Sequence, residues 1–335
     1  MTIAFNHSYE LSIGRPGRLL VRHLPANAFN TEDPILSPSK RSILTLEDPI
    51  SGGYIDYVQV PSDAVLITDL QMTARLEYSK GTTGGKPQPG IIELYNAPPG
   101  VRARIIADNS VILKAGYLSD RVLPVIYVGQ IVKVRTKRVG QDRVTTIYLS
   151  DAANIRKNVK YANKFSKNTP YSTVLTDIAN FYGRNGTPLG RFVASDRTSV
   201  NLQRSLPLQG RINDVLDEVT RSISYTWFIS GGKLYIQPKE FDRPTEVVQV
   251  FLDGIKGDID LLDDKSGVLS NSAANTPPGV ALTVFLNGNI TLDKLLSIRE
   301  GEFTGDYSIS SLLFSLDFRG DSWHIDIEAQ GVNNT

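Results

Sequence analysis

The runs Ile91-Ile92-Glu93-Leu94-Tyr95, Val111-Ile112-Leu113-Lys114-Ala115, Val125-Ile126-Tyr127-Val128-Gly129-Gln130-Ile131 and Val144-Thr145-Thr146-Ile147-Tyr148-Leu149 decide how this chain folds. Between them stand Pro98-Pro99-Gly100, Ala107-Asp108-Asn109-Ser110 and Gly140-Gln141-Asp142. Short apolar, β-branched runs parted by breakers every ~8–12 residues predict a sandwich or barrel. Val101–Ile106 reads as one more strand of the series, and the Val125 strand reads on through Lys137. There Lys133, Arg135 and Lys137 alternate with Val132, Val134 and Thr136. A period of two sets the three cations on one face, opposite an apolar one. Such a face is either solvated or a protein interface.

On the N-terminal side, Ala64–Tyr78 carries Leu70, Met72, Ala74, Leu76 and Tyr78 in period two, a half-buried strand. Lys80-Gly81-Thr82-Thr83-Gly84-Gly85-Lys86-Pro87-Gln88-Pro89-Gly90 follows as a breaker-rich hairpin tip. It is no phosphate loop, because Lys80 stands five residues before Gly85 and Pro87 follows Lys86.

On the C-terminal side the period changes. Thr169 and Pro170 suit a helix start, Val174, Leu175 and Ile178 mark its apolar stripe, and Gly183 suits its end. Ile212, Val215, Leu216, Val219 and Ile223 make a second stripe. Tyr225–Ile229, Gly231-Gly232 and Lys233–Gln237 then read as a hairpin with a two-residue turn. β character returns at Val247–Leu252, Ala281–Phe285, Leu295–Ile298, Tyr307–Phe318 and Trp323–Glu328, broken by the loop Ser270–Gly279. The expected class is mainly β with a small α+β insert, divided 1–150, 151–240 and 241–335.

The chain has 335 residues, enough for several cores without staples. Its 36 Lys+Arg balance 35 Asp+Glu, which gives no global case for nucleic acid or anionic membrane. Locally the balance is uneven: 13 basic against 4 acidic residues over 101–164, and 6 against 15 over 241–335. Such asymmetry points to different partners for different parts of the chain, or to oppositely charged regions of one chain facing each other. Cysteine is absent, which excludes disulfides, thiolate zinc sites and thiol catalysis and suits assembly in a reducing cytosol. No run of about 18 apolar residues spans a membrane, and Met1–His7 lacks the form of a secretory signal.

Chemistry is sparse. His7, His23 and His324 share no metal-binding spacing, and no Gly-x-Ser-x-Gly elbow exists. Asp253, Asp258, Asp260, Asp263 and Asp264 have a calcium loop's composition without its order, and Leu261 and Leu262 fit a packed segment better. No catalytic, cofactor or metal site is expected, and the chain is not expected to be an enzyme. Tyr54 and Tyr57 near Gly52-Gly53 would suit a carbohydrate- or receptor-binding tip, or a core.

Two stretches resemble the baseplate hub family of long-tailed bacteriophages, whose fold is shared with the hub part of type VI secretion spikes. In the first, Ile91–Ala97, Val111–Tyr117 and Val125–Ile131 are similar to the hub's "I-x-I-Y-N", "L-x-A-G-Y" and "I-F-x-G-x-I" strands, with Leu94 and Tyr127 as departures. In the second, Gly279–Asn287, Gly305–Ile309 and Arg319–Glu328 are similar to its closing "G-x-x-v-x-x-L-N-P", "G-x-Y-x-I" and "G-D-x-W-x-T-x-x-E". Gly288 stands where the family usually has Pro, and Ile325 where it has a polar residue. The helix–hairpin module, with Trp227, looks like the hub's inserted domain.

The resemblance implies two tube-protein-like β-barrel domains flanking the insert and a homotrimer forming a pseudo-hexameric ring. That ring would join the sixfold tail tube to the threefold spike, beside tape measure and other baseplate proteins, in a virion tail assembled in the host cytoplasm. DNA would pass its bore without specific binding. A bore that must not hold DNA should be lined by carboxylates. Hence Asp258, Asp260, Asp263 and Asp264 are expected at the lumen or its mouth, and Lys133, Arg135 and Lys137 at a protomer or partner interface.

Overall fold

The computed structural model describes residues 7–15, 19–24, 45–47, 54–59, 62–80, 88–120, 123–151, 153, 159–239, 246–262, 279–299 and 301–332. Side chains of 19–24, 45–47, 54–59 and 62–63 lie outside the description, and with them the question of Tyr54, Tyr57 and His23.

In the first β region come β1 (His7–Arg15), β2 (Leu19–Leu24), β3 (Thr45–Glu47), β4 (Tyr54–Gln59), β5 (Ser62–Ile67) and β6 (Met72–Ser79). β7 (Pro89–Tyr95), β8 (Ser110–Tyr117), β9 (Val125–Val139) and β10 (Asp142–Ser150) complete it. The expected Ala64–Tyr78 strand is broken at Thr68–Gln71, so that β5 pairs β1 while β6 pairs β7. Residues Val101–Ile106 are not a strand. The helical turn α1 (Pro99–Arg102) takes their start, since Pro99 has no N–H to donate to a ladder and the Arg102 N–H donates to Pro98 O at 3.0 Å.

The second β region holds β16 (Val247–Val250), β17 (Asp260–Leu262), β18 (Gly279–Phe285), β19 (Leu295–Ile298), β20 (Gly305–Asp317) and β21 (Trp323–Gly331). The expected strand through Leu252 stops at Val250, where a 3-10 turn over Leu252–Gly254 begins. β6 and β20 pair from Thr73↔Asp317 to Ser79↔Ser311, which joins both regions in one 13-stranded sheet. Its main path is β17-β18-β21-β20-β6-β7-β10-β9-β8-β1-β5. The barrel expectation is therefore corrected: the described strands form an open sheet around one shared core and no closed barrel. Alternation explains the joining. Met72, Ala74, Leu76 and Tyr78 of β6 and Leu312, Phe314 and Leu316 of β20 are all buried on the same side.

Contacts far apart in sequence close the seam between the regions. Trp323 Nε1 donates to Gly116 O at 3.0 Å, and the His7 ring stacks on Trp323 with centroids 4.5 Å apart. Gln71 Nε2 donates to Asp317 Oδ1 at 2.7 Å, and the Tyr78 ring, whose hydroxyl donates to Ile126 O at 2.6 Å within the first region, meets Phe314 edge-on at 5.7 Å. The hub-like departure at Gly288 has a local reason. A Cβ there would stand 2.4 Å from Pro124 Cγ, so the seam admits no side chain.

The intervening segment builds its own core. It comprises β11 (Lys160–Phe165), α2 (Tyr171–Arg184), β12 (Leu189–Phe192), α3 (Asp196–Ser199), β13 (Leu206–Arg211), α4 (Ile212–Ser222), β14 (Tyr225–Ser230) and β15 (Lys233–Pro238). Helix α2 runs one residue past Gly183, with Asn185 as its cap. Val174, Ile178, Val215, Leu216, Trp227 and Ile236 meet in that core, and Trp227 Nε1 donates to Asp217 Oδ1 at 2.7 Å. Gly231 (φ 57°) and Gly232 (φ 76°) supply the left-handed turn of the β14–β15 hairpin. Phe228 and Tyr235 leave by the hairpin's other face, stack at 5.0 Å, and pack into the large core. The helices thus face the insert's own strands, and the hairpin docks the insert on the sheet.

Candidate interface surfaces

β9 outruns its neighbour. It pairs with β10 to the tip, from Gln130↔Ser150 to Val139↔Asp142, but with β8 only as far as Gln130. Backbone bonds of Ile131 to Asp108 and Asn109 end that side. From Val132 to Val139 the outer edge has no pairing partner among the described residues, roughly 26 Å of open strand. The tip is held from β7. Asn96, in the left-handed region at φ 54°, donates Nδ2 to Asp142 Oδ1 at 2.7 Å and accepts from Arg143 N–H at 2.9 Å.

Of the residues opposite the cations, Val134 touches the core, but Val132 is 42% exposed and Thr136 is exposed. Beyond Ile131 no strand among the described residues pairs the outer edge of β9. Lys133, Arg135 and Lys137 are all exposed, and the Lys133 ammonium lies 5.8 Å from the Tyr148 ring centroid.

Directly paired residues share a face, so the register can be followed across the sheet. Arg135 pairs Thr146, Thr146 pairs Glu93, Glu93 pairs Thr73 and Thr73 pairs Asp317. The same face continues through Leu313↔Asp326, Asp326↔Thr283 and Ala281↔Asp260. The basic residues and Asp260 therefore stand on one face of one sheet, Asp260 on its terminal strand and the cations seven strand spacings away, about 34 Å at the usual spacing. The opposite face carries Ile92, Leu94, Leu76, Phe314, Ile325 and Val284 and is buried.

At the acidic end Asp258 and Asp260 are exposed, while Asp263 and Asp264 lie outside the described residues. Asp326 and Glu328, not singled out by sequence, add to it and accept from Thr283 Oγ1 at 2.7 Å and Ser311 Oγ at 2.8 Å. They escape a sequence reading because only the pairing tells which face of β21 is solvated. His324 Nε2 is 3.9 Å from Asp326, but burial pulls the imidazole pKa below 6.5, against the carboxylate's pull. This end therefore stays acidic at neutral pH. β17 pairs β18 on one side and ends the path, and Leu261 on it is 54% exposed.

Among the described residues no cluster of three metal-ligating side chains occurs, and no helix is long and apolar enough to cross a membrane. Residues 81–87 of the breaker-rich loop lie outside the description, as do 263–278. At the hairpin that docks the insert, burial lowers the Lys233 pKa against the pull of Asp293 and Glu246, and burial raises that of Tyr235.

Among the described residues, a largely antiparallel open sheet with one solvated, charge-graded face and a hairpin-docked α+β insert defines the class. It is the fold of a prophage tail protein and of chains in a PdpA–VgrG complex, in line with the sequence resemblance. A 43 kDa tail protein of prophage MuSo2 from Shewanella oneidensis aligns over 79% of this chain and 95% of its own, with 10% identity and a TM-score of 0.52. A chain of the Francisella PdpA–VgrG complex in its lidded form aligns over 98% of this chain and 53% of its own, at 9% identity and a TM-score of 0.50. A chain of the lidless PdpA–VgrG complex aligns over 97% of this chain and 65% of its own, again at 9% identity and a TM-score of 0.50. This chain thus spans between half and two thirds of the length of those PdpA–VgrG complex chains. No protein-family model and no curated protein sequence matches.

Proposed function

We propose that this chain is a structural hub of a bacteriophage-type tail baseplate, acting by assembly rather than by catalysis. The observation that carries the reading is the alignment over 95% of the MuSo2 tail protein, with the hub-like motif residues Gly116 and Trp323 bonded at one seam. In this reading three copies form a pseudo-hexameric ring between the sixfold tube and the threefold spike. Tape measure and other baseplate proteins are its further neighbours, in a virion tail put together in the host cytoplasm.

The solvated face turns toward the bore, with Asp258, Asp260, Asp263 and Asp264 at the lumen or its mouth. Lys133, Arg135 and Lys137 sit at a contact between protomers. Carboxylates facing DNA keep counterions on the phosphates and leave the duplex mobile. Light scattering of the purified chain with the tube protein of the same tail tests this: three copies per ring, docking on tube, are expected. A chain that stays monomeric up to ~100 μM and ignores tube protein would overturn the reading, with ordinary protein contacts reaching μM affinities.

A further inference from the structure

We propose that the outer edge of β11, on the α+β insert, docks an acidic extended segment of a partner protein as a third strand of the β11–β13 ribbon. The segment carries Asp or Glu at alternate positions. The proposal stands without the ring reading, because it uses the insert alone. Residues 159–239 hold 11 basic and 5 acidic side chains. Three of the cations share one face of the ribbon. Lys160 pairs Arg211 directly, and Lys164 lies further along β11, with Ala162↔Gln209 between. All five residues are exposed, and neither strand carries a carboxylate. The Ile212 N–H donates to Val159 O at 3.2 Å, so by alternation Lys160 and Arg211 form a non-hydrogen-bonded pair, the kind whose side chains stand closest. Like charges directly opposite are destabilising, and carboxylates beside them relieve the repulsion.

The same alternation fixes what the edge offers. Tyr161, Asn163 and Phe165 turn their backbone groups to β13, while Lys160 and Ala162 turn N–H and C=O outward. Lys164 offers only its C=O, since Asn163 Oδ1 accepts its N–H at 2.8 Å. Among the described residues no strand pairs this edge. The outer edge of β13 differs, because Pro207 has no N–H to give there. Behind the ribbon Tyr161 and Phe165 are buried in the insert's core. The nearby Asp177 carboxylate is engaged by the Tyr161 hydroxyl and by Asn163 Nδ2. Lysines keep strands of their own charge off an edge and favour an acidic one. A strand added at β11 sets its alternate side chains beside Lys160 and Lys164.

Fluorescence anisotropy of a labelled peptide of alternating Glu and Thr, titrated with the full-length chain, tests the proposal, with folding checked by circular dichroism. Lys160→Glu with Lys164→Glu should weaken binding at least ~10-fold near 0.1 M salt and turn the preference to a peptide of alternating Lys and Thr. Ala162→Pro removes one outward N–H and leaves every charge and the β13 pairing in place. It should weaken binding by about 5-fold, the worth of one hydrogen bond. In the wild type, the Lys160 and Ala162 amides should exchange more slowly once the peptide is bound. A wild type that ignores the acidic peptide, or takes the basic one equally well, would overturn the proposal. Binding that neither slows those amides nor responds to Ala162→Pro would leave charge attraction alone and overturn the added strand. Tighter binding of duplex DNA or of phosphatidylglycerol vesicles through Lys160 and Lys164 would replace the protein partner by a nucleic acid or a membrane.

Discussion

The β body and the α+β insert solve the same problem in opposite ways. In the body, residues far apart in sequence must meet: Trp323 bonds Gly116, Gln71 bonds Asp317, and β6 pairs β20. In the insert every core side chain lies between Tyr161 and Ile236, and Trp227 bonds Asp217 ten residues away. The body's sheet therefore depends on pairing between distant parts of the chain, while the insert draws its core from one continuous segment and meets the body through Phe228 and Tyr235. Damage at the seam should fall on the body, and damage in the insert should stay local.

Trp323→Ala should strike hardest. It empties a buried ring site, unstacks His7 and leaves Gly116 O without its indole donor, a loss of about 3–5 kcal/mol for such a truncation. In hydrogen exchange the strands β20 and β21 should lose protection while Val174, Val215 and Trp227 amides keep theirs. Equal loss in the insert would break the comparison. Gly288→Ala should come second, at about 1–3 kcal/mol, because its methyl would overlap the Pro124 ring. Gly254→Ala meets nothing within 4 Å and serves as the control. Thermal melts that place the two variants together would show the seam to be looser than its geometry.

How much of this was legible beforehand follows from which forces were local. The insert's stripes at Val174–Ile178 and Ile212–Val219 needed only periodicity, and the Gly231-Gly232 turn only its left-handed backbone. Trp323 is legible as a hub-like motif position and Gly288 as a departure from one, but the reasons for them are not. Gly288 is explained by Pro124 and Trp323 by Gly116, both far away in sequence. Val101–Ile106 has a strand's apolar content, but Pro99, legible as a breaker, instead opens a helical turn that runs into Arg102. Closed barrels are the sequence expectation where the described strands form an open sheet, since pairing across β6 and β20 is not written in either strand alone. For the same reason Lys133, Arg135 and Lys137 could be named, but the bare edge they occupy could not. A β9 of 15 residues beside a β8 of 8 was the one available hint.

Within the insert, Trp227→Phe keeps the ring and removes one donor. Asp217 is half-buried and can turn to water, so the cost should stay near ~1.5 kcal/mol. The loss should appear as faster exchange in α4 and β14, with the seam amides of β20 and β21 unchanged. A matching loss across the seam would mean that insert and body unfold as one unit.

The smallest effect is a pH dependence confined to the body. Burial lowers the His7 imidazole pKa below 6.5, despite the Phe318 carbonyl and the nearby Asp317 and Asp321, and burial does the same at His324 despite Asp326. In the unfolded chain both rings take up protons as pH falls through about 6.5, while in the folded body they resist. The unfolded state then binds more protons, so stability drops as pH falls below about 6.5, and the drop ends once the folded rings also protonate. Above that pH the two states bind alike and these rings contribute no slope. Among described residues the insert has no histidine and should share none of this. Carboxylates add their own slope lower on the scale, so the measurement is a difference. Denaturation midpoints at pH 7.5 and 5.5 should diverge less for His7→Gln with His324→Gln than for the wild type. The insert's exchange rates, corrected for the intrinsic pH effect, should not distinguish the two proteins. If the double variant keeps the full slope, the rings at the seam are solvated enough to protonate in place.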